Sequence, residues 1–274
     1  MKKRTYKILV LSDLNDSTKT VLKSSVSLAN MIHGEIHFFH VKKPIEVVKS
    51  ESQLSAIRTI NQEHLSIEKK IKSAIQFFTK DYNVDINYRF SIGNVKTEIA
   101  NQIKEQKPDI IVLGKRDSKG VNFLGDNITQ FVLSKYKGPI MIAATENAIE
   151  PNQAISLGML NGLEESFNVE FANDLMAHIQ KPIKSFKLVK SSDSKEEEIS
   201  NNKKAVEYVF ENSTGALDNL SNYLAKSKVN LLCINRDNKQ KKIKKNLIMT
   251  DIKDAINKFN VSLLLTGGEK LTIQ

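Results

Sequence analysis

The sequence predicts an α/β protein made of two tandem five-stranded, doubly wound parallel sheets that pair as a pseudo-dimer. Two observations carry the expectation of the two sheets. Short unbroken apolar runs, such as IIVLG at residues 110–114 and PIMIAA at 139–144, alternate with helical patterns. Parallel strands covered on both faces read in this way, because neither side of the strand meets water. The second half then repeats the first with losses. STGALDNLSNYLAKSKVNLLCINRD parallels IGNVKTEIANQIKEQKPDIIVLGKRD, and VSLLLTG parallels PIMIAAT. Such self-similarity implies duplication, with domains over residues 1–147 and 148–274 and a junction near 146–153.

Taken in order, the first strand covers residues 6–11 and is followed by the turn SDLNDS, where Asp16 or Ser17 is placed to cap a helix. That helix, residues 18–33, carries Val21, Leu22, Ser25, Val26, Leu28 and Ala29 at helical spacing, and Gly34 is expected to end it. A second strand spans 35–41. Pro44 interrupts, and a long charged amphipathic helix runs over about 50–80. The third strand covers 84–90. A glycine turn and a helix with Val95, Ile99 and Ile103 on one face follow, stopped by Pro108. A strand at 109–113, a glycine-containing loop at 114–125, a helix at about 127–137 and a strand at 139–144 complete the first sheet. In the second copy AISLGMLNGLEESFNVEFANDLMAHIQKPIKSFKLVK follows the same strand–turn–helix–strand pattern, and polar residues 191–204 replace the long helix.

The 274 residues are 40% hydrophobic and 26% charged, an ordinary globular composition. No apolar run approaches the ~18 residues of a membrane helix, and the basic, then apolar amino terminus reads as a strand instead of a leader because Ser12 and Asp13 follow at once. The lone Cys233 lies in an apolar run, excludes an intramolecular disulfide framework and fits a reducing cytoplasm. The net charge of +10 is spread over helix faces. One cluster, Lys239, Lys241, Lys242, Lys244 and Lys245, has no interleaved aromatics, which disfavours nucleic acid as a partner. His37 and His40 stand three apart on a strand and face opposite ways, so they do not chelate one metal.

The aspartate after strand one, the pair His40–Val41, the strand ending VLG and the helix before GPIMIA resemble the universal stress protein family. The resemblance covers the first half well and the second weakly. It implies Rossmann-like domains, pairing through the last strands (139–144 and 261–266), and a nucleotide site in the loop after the fourth strand. In nucleotide-binding members one glycine ends the strand and a second stands three residues later. A third follows ten residues on, directly before serine or threonine. Asp13, Val41 and Gly114 fit, with Asp13 and Val41 on the nucleoside side. Asp117 stands where the second glycine belongs. Alignment on the following helix puts Asp126 and Asn127 at the glycine and hydroxyl positions; alignment on Gly125 leaves Asp126 for the hydroxyl.

Either way a carboxylate sits beside the phosphates' place, where two unit charges ~4 Å apart repel by ~4 kcal/mol near a protein surface. Lys115, Arg116 and Lys119 offset part of this or are simple loop charges. Asn127 with Gln130 also reads as a capping box, and Gly120 and Gly125 as turn glycines. The site therefore reads as degenerate. In the second half Met159 is matched to Asp13 and Asn235 to Gly114, and no glycine follows.

These readings add up to a non-enzymatic cytoplasmic stress-response protein with no resident cofactor. An ATP- or AMP-binding switch or slow ATPase in the first half is the alternative, and a basic nucleic-acid-associated protein the second. A protein partner is expected, a homodimer is left open, and no membrane segment is expected.

Overall fold

The computed structural model describes residues 4–44, 53–82, 84–115, 128–161, 169–189, 205–211, 215–236 and 252–267. The first half runs β1 (Tyr6–Ser12), α1 (Thr18–Ile32), β2 (Gly34–Lys42), α2 (Gln53–Tyr82), β3 (Ile86–Ile92), α3 (Val95–Gln106), β4 (Ile110–Gly114), α4 (Ile128–Lys135) and β5 (Ile140–Ala143). The second runs β6 (Leu157–Leu160), α5 (Ala172–Met176), β7 (Ile183–Val189), β8 (Ala205–Glu211), α6 (Ala216–Lys226), β9 (Leu231–Asn235), α7 (Ile252–Lys258) and β10 (Ser262–Thr266).

All ten strands form one sheet in the order β3-β2-β1-β4-β5-β10-β9-β6-β7-β8. Each half is parallel within itself. The joint between them is the antiparallel pair β5–β10, with Leu263 opposite Ile142, Leu264 opposite Met141 and Leu265 opposite Ile140. The last strands thus close on each other, as the sequence reading expected, and neither is left as an edge open to another chain.

Alternation along the strands sends side chains to two cores. Ile8, Val10, Ile36 and Phe38 pack under α1 and α2, and the same core continues into the second half through Leu157, Phe171, Leu175 and Leu264. Leu9, Leu11, Phe39 and Leu113 pack on the other face against Ile99 of α3 and Val132 of α4, and continue to Leu220, Phe259 and Leu263. Both cores cross the joint.

Several local expectations are corrected. The left-handed residue ending α1 is His33 (φ 56°), whose N–H donates to the Ala29 carbonyl. Gly34 is instead the first residue of β2, where a Cβ would stand 2.5 Å from Ile8 Cδ1. Ser17 does stand at the N-cap of α1, yet no side chain caps the helix: the Ser17 backbone is already helical (φ −73°, ψ −12°) where a capping residue is extended, and the Ser17 hydroxyl donates to Asn15 Oδ1 at 2.7 Å.

The helix expected after β6 is reduced to the five residues of α5. The place beside it is taken by α1, whose Ser24 and Ser27 are buried against the junction between halves. Ser24 Oγ accepts from the Ile149 N–H at 3.1 Å, Ser27 Oγ donates to the Glu150 carbonyl at 3.2 Å, and Lys23 pairs with the Glu150 carboxylate at 2.6 Å. The segments at 191–204 and 239–245 lie outside the described residues.

Candidate functional site

The carboxyl ends of β1, β2 and β4 surround a cavity of about 180 Å³. Here the chain has built β2 and β3 on one side of β1 and turns to build β4 and β5 on the other. Such a switch point leaves a crevice, because the connections leave in opposite directions. Leu11, Phe39, Val41, Ile99 and Leu113 give the cavity apolar walls, while Ser12, Asp13, Ser17, Lys43 and Thr129 add polar groups.

The turn carrying Asp13 is held by its own side chains. Leu14 has φ 58°, and its N–H donates to Ser12 Oγ at 3.1 Å. Asn15 Nδ2 donates to Asp13 Oδ2 at 2.9 Å, and Asn15 Oδ1 accepts from the Ser17 N–H at 3.0 Å. From below, buried His40 puts Nδ1 2.8 Å from the Ser12 carbonyl. A carbonyl only accepts, so the ring proton sits on Nδ1. Burial holds the His40 pKa below its ordinary value, against the opposing pull of the Ser12 carbonyl and Asp13.

Of the residues singled out from sequence, Asp13, Val41 and Gly114 meet around this cavity. Asp117, Gly120, Gly125, Asp126 and Asn127 lie outside the described residues. Gly114 also has a packing reason to be glycine. A Cβ there would stand 2.7 Å from Val21 Cγ2 and 3.2 Å from Ser17 Oγ, so α1 can cross the end of β4 only over a bare backbone.

Lys115 points elsewhere. Its Nζ donates to the carbonyls of Asn257 at 3.2 Å and Phe259 at 2.9 Å, at the carboxyl end of α7 in the other half. Its counterpart in the repeat is Arg236, which does the converse. Arg236 donates to the Tyr136 carbonyl at 3.2 Å, to Lys137 at 2.9 Å and also to Gly138, just past the carboxyl end of α4. Helix ends leave such carbonyls without intrahelical donors and carry partial negative charge, so a cation suits them. The two halves therefore clasp each other's last helices reciprocally, a feature the sequence reading missed. Its signal was present in the repeat: a basic residue follows Gly114 and also Asn235.

The model of the universal stress protein family matches residues 5–144, about half of the chain. The chain belongs to that family. Two solved structures resemble it along nearly its whole length. A universal stress protein from Archaeoglobus fulgidus DSM 4304 shares 13% identity at TM-score 0.60, covering 95% of this chain and 98% of the other. A protein of unknown function from Pseudomonas aeruginosa PAO1 shares 11% identity at TM-score 0.58, covering 97% and 94%. At such identity the likeness concerns the fold alone. Among curated proteins no sequence matches.

Within this universal stress protein the described residues of the second half differ from the first half's arrangement. The strand registers correct one assignment. Leu11 pairs with Leu113 and with Phe39, and Leu160 pairs with Ile234 and with Phe186. Met159 thus takes the place of Val10, and the counterpart of Asp13 is Gly162, outside the described residues. The same equivalence explains two backbone anchors. Asp109 Oδ2 accepts from the Lys7 N–H at 2.8 Å, and Asn230 Oδ1 accepts from the Ser156 N–H at 3.0 Å.

By this register Phe186 is the counterpart of Phe39, and it packs in a ring cluster with Tyr208, Phe210 and Tyr223 at centroid distances of 5.5–6.4 Å. The first half has Arg89, Ser91 and Gln102 at those three places. Cys233 is buried, 3.8 Å from the Thr266 hydroxyl, and burial pushes its thiol up to about 12. It is a core residue. Among the described residues no cluster of three metal-ligating side chains occurs, and no helix is long and apolar enough to cross a membrane.

Proposed function

We propose that the chain is a non-enzymatic, cytoplasmic regulatory protein of the universal stress type. It comprises domains over residues 1–147 and 148–274, and the first carries a degenerate nucleotide site. The observation that carries this reading is the meeting of Asp13, Val41 and Gly114 around one cavity with apolar walls. Apolar walls with a few convergent polar groups are what a flat base and a sugar require. At about 180 Å³ the cavity falls short of the roughly 300–1,000 Å³ common for ligand clefts, which suits the nucleoside end better than a whole triphosphate.

Phosphate neutralisation rests by the same reading on Lys43 of the cavity wall. Lys115, directly after Gly114, spends its charge on the α7 carbonyls, and the sequence places Asp117 and Asp126 in the following loop. The ligand expected is an adenine nucleoside or AMP, held weakly and not turned over. The last strands are occupied by each other, so a protein partner or a second copy would dock elsewhere.

Mass spectrometry of small molecules released from freshly purified protein, with calorimetric titration of AMP and of magnesium ATP, tests this. No co-purified nucleotide, weak heat with AMP and no ADP formed from ATP is the expected result. Near-stoichiometric ATP would replace the reading with a nucleotide switch or slow ATPase. Steeply salt-dependent binding to any duplex would replace it with the nucleic-acid reading.

A further inference from the structure

The first-half cavity is bounded in part by a helix whose far end is held by the second half. Ile128 and Thr129, at the amino end of α4, form part of the cavity wall. Seven residues on, about 10 Å along the axis at 1.5 Å per residue, the chain leaves α4 through Tyr136, Lys137 and Gly138. All three carbonyls accept from the Arg236 guanidinium. The same guanidinium donates to the Gly267 carbonyl at 3.1 Å, and the Arg236 N–H donates to the Thr266 carbonyl at 2.7 Å. One side chain therefore ties the exit of α4 to the ends of β9 and β10.

The rest of the α4 exit is anchored within its own half. Tyr136 is buried and its hydroxyl donates to the Pro108 carbonyl at 2.6 Å. α4 is a short helix of eight residues with Val132 fully buried, so its placement depends heavily on what holds its ends. A planar guanidinium satisfies several carbonyls at fixed angles, where an ammonium would act as a point charge.

We propose that Arg236 is a positioning residue for the first-half cavity: the second half sets the seat of α4, and through it the wall formed by Ile128 and Thr129. The inference rests on the reading of that cavity as a nucleoside site. It gives the second half a function, that of a built-in regulatory partner whose pairing with the first half determines ligand affinity.

The test uses the full chain with Arg236→Met and Arg236→Lys. AMP binding is measured by calorimetry and backbone exchange by hydrogen–deuterium mass spectrometry. Arg236→Met is expected to speed exchange in residues 128–135 beyond any change in β1 and β2, and to weaken AMP binding by about tenfold, within the span of ordinary site-to-site coupling. Arg236→Lys is expected to restore part of both.

Uniformly faster exchange throughout the chain, with AMP affinity within about twofold of the parent, would show a merely structural clasp and overturn the proposal; so would unchanged exchange in α4. If the parent chain binds no AMP, the nucleotide reading falls by itself. The exchange arm then decides, local acceleration at 128–135 supporting Arg236 as the seat of α4 and its absence overturning it.

Discussion

The two halves of this chain share a strand order and a backbone pattern, yet they have parted in what they do with the ends of their strands. In the first half, β1, β2 and β4 end around an open cavity, with Gly114 keeping the crossing of α1 clear. In the second, Asn235 stands at the position of Gly114. Four rings, Phe186, Tyr208, Phe210 and Tyr223, pack together where the first half has Phe39, Arg89, Ser91 and Gln102. Bare backbone beside apolar walls leaves room for a ligand, whereas the rings, with Phe186 buried and the other three half-buried, extend the core at places of which only that of Phe39 lines the first-half cavity. What both halves retain is the joint: the β5–β10 ladder and the matched cations Lys115 and Arg236. Among the described residues, the interface is what the two halves have kept in common.

The largest expected effect attacks what the halves share. Met141 is fully buried in β5 between β4 and β10, with Val112 and Leu264 as its partners. Met141→Pro removes a ladder donor and forces a ring into that space, in a central strand where proline is essentially never found. Because both cores cross the joint, the damage should not stay in one half. Denaturant unfolding is expected to lose its single cooperative transition, and X-ray scattering to show an expanded chain. An unchanged unfolding midpoint together with an unchanged radius of gyration would mean the halves stand without their shared ladder.

A middle-sized effect separates them. Gly114→Ala places a Cβ 2.7 Å from Val21 Cγ2, and overpacking of a close-fitted core costs about 1–3 kcal/mol. At the equivalent place in the second half, Asn235→Ala adds no new Cβ and should cost less. Combining Gly114→Ala with Val21→Ala should be less damaging than the sum of the two single changes, because the clash is shared. Additive losses would remove packing as the reason for this glycine and leave only the approach of a ligand.

Much of this fold was legible because apolar runs and helical spacing reflect burial that is the same for every doubly wound sheet. The ten strands and the long α2 follow from that pattern, whereas the pairing of the last strands was expected from the family resemblance. What escaped depended on local backbone conformation and on which side chains meet. Ser17 was a reasonable cap for α1 until its own backbone turned helical, and Gly34 a reasonable helix end until Ile8 claimed the space above it. Among the described residues the second-half helix is reduced to α5, which packs beside α1. Met159 was matched to Asp13 through a slip of register that only strand pairing corrects. At the site, Asp13, Val41 and Gly114 were picked out by the family resemblance, whereas Phe39, Ile99 and Thr129 look like any core or helix residue until the strands are assembled. Lys115 was read as a partial offset to the loop carboxylates or as a simple loop charge, since nothing local reveals that α7 lies within its reach.

The smallest effect sharpens the comparison at matching helix entries. α3 begins at Asn94, whose side-chain oxygen accepts from the Thr97 N–H at 3.1 Å. α6, its counterpart, begins at Gly215 with no side-chain cap. Capping satisfies one of the donors a helix start leaves open, so Asn94→Ala should cost about 1 kcal/mol. The reverse change should help. Gly215 has φ −120°, and a Cβ there would meet nothing within 4 Å, so Gly215→Asn fits without strain. Since glycine is itself a tolerable cap, the gain should be only a few tenths of a kcal/mol. Urea midpoints at constant slope read both changes. A loss on Gly215→Asn would show that α6 enters on a path no side chain can cap, which would place the divergence of the second half in its backbone as well as in its side chains.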